Sequence, residues 1–138
     1  MGADEVYLMS REEEPEQAGR NIQKLLGLPI DITLECTGTE PCTRTAIEAT
    51  RNGGKVAAVG LGKPLIQVPL AKCSLKEIDL IGVCRFRNCF PLAVKMLSQL
   101  DLSPIITHEF KLETETFEAF KTMERGEGLK VVIDCRPN

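Results

Sequence analysis

Few stretches of this chain carry residues whose types and spacing suggest chemistry, and the densest is GGKVAAVGLGKP, Gly53 to Pro64. A dinucleotide loop needs three glycines in order: one for a tight turn, one for backbone approach to a pyrophosphate, and one where the following helix packs on the strand. Gly60 and Gly62 meet the first two requirements, but Leu65 takes the third position and Pro64 stands where the helix should already be running. No helix N-terminus is then available for a phosphate. The stretch reads instead as a buried strand, Lys55 to Val59, leaving its sheet at Gly60 to Gly62, where absent β-carbons let something approach closely.

The other chemical candidates are thiols, one imidazole and one acidic turn. Six cysteines stand at 36, 42, 73, 84, 89 and 135, with no CxxC pair and with the single histidine, His108, far from all of them. A structural zinc site is not indicated by this spacing, and without a signal segment the cysteines read as reduced thiols. Cys36 beside Leu34 and Cys84 beside Val83 read as small buried side chains. ECTG, Glu35 to Gly38, ends a strand on the edge where parallel sheets bind ligands, so it either lines a ligand groove or makes a tight strand-to-helix turn.

Elements that would position these residues follow from periodicity and punctuation. Glu5 to Met9 (EVYLM) is β-prone, and the acidic run Arg11 to Glu16 starts a helix with carboxylates at the positive end of its dipole. That helix runs to Leu26, stops at Gly27, and turns Ile22, Leu25 and Leu26 inward. Ile30 to Glu35 alternates as a strand, Thr39 or Glu40 opens a second helix with Pro41 in its first turn, and Arg51 to Gly53 closes it. Strand, helix, strand, helix, strand at this spacing is half of a doubly wound parallel sheet, with right-handed crossovers and helices on both faces. After a looser stretch with Pro64 and Pro69, Ile78 to Cys84 is β-rich and broken by Gly82. Phe90 to Leu100 reads as a helix with Phe90, Val94 and Leu97 on one side. Thr114 to Arg125 reads as another, with Phe117, Phe120 and Met123 inward, and Val131 to Cys135 as a last strand.

Composition narrows the function classes. The chain has 138 residues, 43% of them apolar, enough for one domain's core. A net charge of -3, one tyrosine and no tryptophan argue against a nucleic-acid partner. No apolar run approaches the roughly 20 residues needed to cross a bilayer, and no basic-plus-apolar leader opens the chain, so a cytoplasmic protein without a membrane partner is expected.

A family resemblance rests on GADEV at 2–6, DITLECTG at 31–38, ATRNGGKVAAVGLG at 49–62, EIDLIGVCRF at 77–86 and ITHEFKLETETFEAF at 106–120. In order and spacing these resemble the sorbitol (polyol) dehydrogenases, a branch of the zinc-dependent medium-chain dehydrogenases. The resemblance spans essentially the whole chain but only the C-terminal portion of the family. It implies a partial nucleotide-binding domain over 1–101, lacking its first two strands, and a tail over 102–138 from the catalytic domain. It further implies NAD-linked oxidation of a polyol's secondary alcohol to a ketose, with zinc polarising the alcohol oxygen. The zinc ligands, glycine fingerprint and ribose-binding acid of that family would precede Met1, so no catalytic residue and no metal ligand is expected here.

Position by position, the resemblance implies that Val59, Gly60 and Leu61 contact the cofactor at one strand end, and Val83, Cys84 and Arg85 near the nicotinamide. Arg85 also falls on a substrate-contacting arginine, whose several donors suit a polyhydroxylated ligand. Phe86 stands where the family commonly has tyrosine, so either the preferred polyol differs or a water replaces that hydroxyl. His108 lies in the segment returning toward the other domain and is read as structural or surface. The family also implies a homo-oligomer, dimer or tetramer, pairing across Ile78 to Cys84, where an exposed edge would favour association. Two roles follow as alternatives: part of a polyol dehydrogenase that is inactive alone, or a non-catalytic short isoform pairing with full-length subunits. An unrelated nucleotide-binding αβ domain is a third, disfavoured by the missing fingerprint.

Overall fold

The computed structural model describes residues 2–136. Helix α1, Pro15–Leu26, opens on a proline, whose missing N–H is no loss in a first turn, and stops at Gly27 in the left-handed conformation, φ 63. The acidic run expected to start this helix mostly precedes it, because Pro15 is tolerated only in a first turn. Strand β1 is Ile30–Glu35, α2 is Glu40–Ala49, and β2 is Thr50–Ala58. Helix α2 therefore ends before Arg51–Gly53, which belong to β2 instead. The β1–β2 register breaks between Ile30 and Ile32, opposite Thr50 and Lys55, so residues 51–54 bulge out of the ladder with Gly53 at φ 70. Helix α3, Leu70–Lys76, lies in the stretch that sequence alone leaves irregular, and β3 is Asp79–Gly82.

The three strands form one parallel sheet in the order β1-β2-β3. Its core is Ala46 and Ile47 of α2, Val56 of β2, Cys73 of α3 and Ile78, with Val68 packed against them. Side chains alternate across a strand, so the partners of Val56, Thr33 and Leu80, share its face. The opposite face carries Ile32, Leu34 and Ile81, all exposed. Glu5 to Met9 is not a strand: Val6 and Leu8 are exposed and no described neighbour takes up its backbone bonds.

Helix α1 packs on α2 through small residues rather than through Leu25 and Leu26, while Ile22 is half-buried. Ala18 and Gly19 are buried, and a methyl at Gly19 would crowd the Glu48 side chain, so the two helix backbones approach closely. Leu25 and Leu26 are exposed. Arg44 of α2 donates three times to the Glu16 carboxylate of α1, at 2.9 and 3.1 Å from one terminal guanidinium nitrogen and at 3.2 Å from Nε. Carbonyls at the end of α2 are taken up by Gln23, which donates to Glu48 O and Ala49 O, and by Lys76, which donates to Ile47 O, Glu48 O and Thr50 O.

The chain divides into two compact units, Ala3–Arg87 and one formed by residues 88–136. The second holds α4, Phe90–Leu97, a 3₁₀ turn Ser103–Ile105, β4, Ile106–Lys111, α5, Thr116–Glu124, and β5, Lys130–Asp134. Strands β4 and β5 pair in parallel. The expectations from sequence do not include β4, although Ile106, His108 and Phe110 alternate as a strand should. α4 buries none of its residues, so Phe90, Val94 and Leu97 remain exposed. In α5 the buried residues are Ala119 and Thr122, while Phe117, Phe120 and Met123 are exposed, the reverse of the expected orientation. A two-stranded ribbon offers α5 a narrow seat, which small side chains fit.

Candidate functional site

Parallel pairing aligns the strand ends. Glu35 pairs with Ala58, and Ala58 with Gly82, so β1, β2 and β3 all finish at one edge of the sheet. The ladders run slightly further: Val59 N and Gly60 N both donate to Glu35 O, at 2.8 and 2.9 Å, and Val83 N donates to Ala58 O at 3.0 Å. Residues 59–61 and 83–86 therefore leave the sheet side by side. Val59 and Val83 are partly exposed, 40% and 39%, while Leu61, Cys84, Arg85 and Phe86 are exposed. Arg85 holds a left-handed backbone, φ 48, uncommon for a residue with a β-carbon and a mark of a constrained position.

The glycines at these tips face each other. A methyl on Gly60 would overlap the amide of Gly38, one on Gly62 would overlap the Gly38 carbonyl, and one on Gly38, φ 70, would overlap Gly62 N. What approaches Gly60 and Gly62 is the neighbouring backbone of residues 37–38. No helix follows them until Leu70, so no phosphate loop exists there.

Glu35 organises the turn between β1 and α2. It is 4% exposed, and its carboxylate accepts from Thr37 N at 2.8 Å, from the Thr37 hydroxyl, and from Gly38 N at 2.9 and 3.1 Å. Burial alone would raise its pKa, but the hydroxyl and amide donors outweigh burial and hold it below the ordinary carboxylate range. ECTG makes the tight strand-to-helix turn and also lines hollows in the surface. Beside it, a hollow of about 820 Å³ is lined by Met9, Arg11, Gly38, Cys42, Gly62 and Ile66. A second, apolar groove of about 460 Å³ lies against Ile22, Leu26, Ile32, Leu34 and Cys36.

The remaining candidates are elsewhere. Cys36 and Cys84 are exposed, contrary to the buried reading, and Cys73 is the buried thiol; all six are unpaired. Alternation marks a strand's faces but not which of them is covered. His108 is half-buried on β4, stacked on Phe110 at 6.2 Å, with Nδ1 3.0 Å from the Thr107 hydroxyl. Among the described residues no group of three or more His, Cys, Asp and Glu is placed to hold a metal ion. Nor is any described helix long and apolar enough to cross a membrane.

Comparison with known proteins agrees with this geometry. The family profile described as zinc-binding dehydrogenase matches residues 1–99. Sorbitol dehydrogenase of Macaca fascicularis is 41% identical over 140 residues, covering 100% of this chain and 39% of that protein, and the Homo sapiens enzyme is 39% identical with the same coverage. The chain thus spans about 39% of the length of these relatives. Alcohol dehydrogenase from Thermotoga maritima superposes with a TM-score of 0.77 at 29% identity, covering 96% of this chain and 38% of that one. Alcohol dehydrogenase TADH from Thermus sp. ATN1 gives 0.78 at 26%, covering 96% and 39%. With its parallel α/β sheet, its aligned strand tips and a profile match over most of its length, this chain belongs to the zinc-binding dehydrogenase family.

Proposed function

We propose that this chain serves as the C-terminal part of a polyol dehydrogenase and supplies one wall of its nicotinamide pocket. The observation that carries this reading is the lateral alignment of the β2 and β3 tips, in a chain about 40% identical along its whole length to sorbitol dehydrogenases. Open parallel sheets bind ligands outside the carboxyl ends of their strands. Val59, Gly60 and Leu61 from one tip, and Val83, Cys84 and Arg85 from the next, would flank the cofactor. NAD, when bound, accepts the hydride released as a secondary alcohol becomes a ketone.

This chain's own contribution is positioning. The apolar side chains of Val59, Leu61 and Val83 exclude water from the ring they flank, and Arg85 offers several N–H donors to polyol oxygens. Phe86 contributes bulk without a hydroxyl. Residues 102–138 would belong to the catalytic domain. The assembled enzyme would be a cytoplasmic homo-oligomer, and the isolated chain would not turn over, because its described residues present neither a metal ligand set nor a phosphate loop.

The test is NADH formation with sorbitol, by this chain alone and by a sorbitol dehydrogenase in which this chain replaces the matching residues. Activity only in the hybrid is expected, with Arg85→Ala raising KM for sorbitol in it. A folded, zinc-loaded hybrid without activity would overturn the reading, and turnover by the chain alone would overturn its inactivity.

A second reading, a non-catalytic module pairing with full-length subunits, is favoured by β3, an edge strand whose four residues are all exposed. Co-purification with an intact dehydrogenase, lost in Ile81→Pro, would support it.

A further inference from the structure

We propose that Glu35 is the positioning residue of the strand tips, holding residues 36–38 and 59–62 as one rigid platform through its carboxylate and its carbonyl together. The proposal rests on the reading of these tips as cofactor-facing, and it assigns the placement of Val59 and Leu61 to a residue outside the pocket wall. Regular β1–β2 pairing ends at Glu35 and Ala58. Beyond it, the Glu35 carbonyl accepts from both Val59 N and Gly60 N. The side chain of the same residue accepts from Thr37 and Gly38. The two segments so held then close on each other through Gly38, Gly60 and Gly62, with no room for a β-carbon between them. One residue thus anchors both sides of the contact.

The chemistry explains why a glutamate stands there. Every group reaching its carboxylate is a donor, and among the described residues no cation pairs with it. The substitution Glu35→Gln would keep one acceptor oxygen but turn an NH₂ toward the Gly38 N–H, donor against donor. An aspartate is one methylene short of the same donors. The buried acceptor therefore matches a turn made only of N–H and O–H groups, and losing the match should part the two tips.

The experiment is amide hydrogen exchange by NMR on the full chain without ligand, comparing wild type with Glu35→Gln. Exchange at Gly38 should accelerate roughly tenfold, the scale of one lost buried hydrogen bond, and exchange at Val59 and Gly60 should accelerate with it. Amides of Ile47 and Val56 should be unchanged. Acceleration confined to 37–38 would make Glu35 only a turn cap, and acceleration throughout the core would make it a general stability residue; either overturns the proposal. If Glu35→Gln does not fold, Thr37→Val, which removes the hydroxyl that donates to Glu35 and accepts from Thr39 N, is read in the same way and must still move the Val59 and Gly60 amides. A separate NAD⁺ titration of the hybrid sorbitol dehydrogenase that carries this chain, followed at Val59 and Val83, tests the cofactor-facing reading. That reading can fail there while the exchange data still decide the role of Glu35.

Discussion

Three glycines allow the cost of backbone conformation to be separated from the cost of contact. Gly27 and Gly38 both have left-handed φ, 63 and 70, whereas Gly38 and Gly60 are the pair pressed against neighbouring backbone. A methyl at Gly27 would meet nothing within 4 Å. Gly27→Ala therefore carries the conformational penalty alone, about 1 kcal/mol. Gly60 lies outside the left-handed region, so the cost of Gly60→Ala comes only from forcing its methyl against Gly38 and Thr37, about 2 kcal/mol by the usual cost of overpacking. Gly38→Ala combines both terms, for about 3 kcal/mol. Urea unfolding followed by far-ultraviolet circular dichroism measures the series, provided the m-values agree. The expected order of stability is wild type, Gly27→Ala, Gly60→Ala, Gly38→Ala. Equal midpoints for Gly38→Ala and Gly27→Ala would refute an interlocked pair of tips.

Ile47 is fully buried in the core, so Ile47→Ala should cost about 3 kcal/mol in the same unfolding assay. Lys76→Met keeps the apolar stem but removes three donors to the carbonyls at the end of α2, and should cost about 2 kcal/mol, measured as a lowered urea midpoint. Glu35 has a folded-state pKa below its ordinary value of 4.5, so its ionised form stabilises the fold above that pH. This contribution should fade as pH falls through 4.5 toward the folded-state pKa, and the stability gap between wild type and Glu35→Gln, measured at several pH values, should shrink on acidification. A gap that widened in acid would contradict that sign. Arg85→Gly should relieve the left-handed strain at φ 48 and raise thermal stability by about 1 kcal/mol, as read by the unfolding midpoint.

Local signals were legible wherever a few adjacent residues decide the outcome. Gly27 stops α1, Pro41 lies in the first turn of α2, Ile30–Glu35 forms β1 over the expected span, and Pro64 with Leu65 excludes a phosphate loop, each from rules that act within one turn of chain. Less was legible where burial depends on a distant neighbour. Glu5 to Met9 has strand propensity without a described strand beside it, and Phe117, Phe120 and Met123 form an apolar stripe that β4 and β5 do not cover. Small residues, Ala18, Gly19, Ala119 and Thr122, make the close packing instead.

By itself the sequence determined which segments are helix or strand at their clearest, and which chemistry is missing from the glycine-rich stretch. Only the tertiary structure decided that Gly38 is what closes on Gly60 and Gly62, and that Glu35 joins them. Backbone preference is a property of neighbours in the chain, whereas the close approach of the tips and the shared Glu35 carbonyl are properties of neighbours in space, more than twenty residues apart in these contacts.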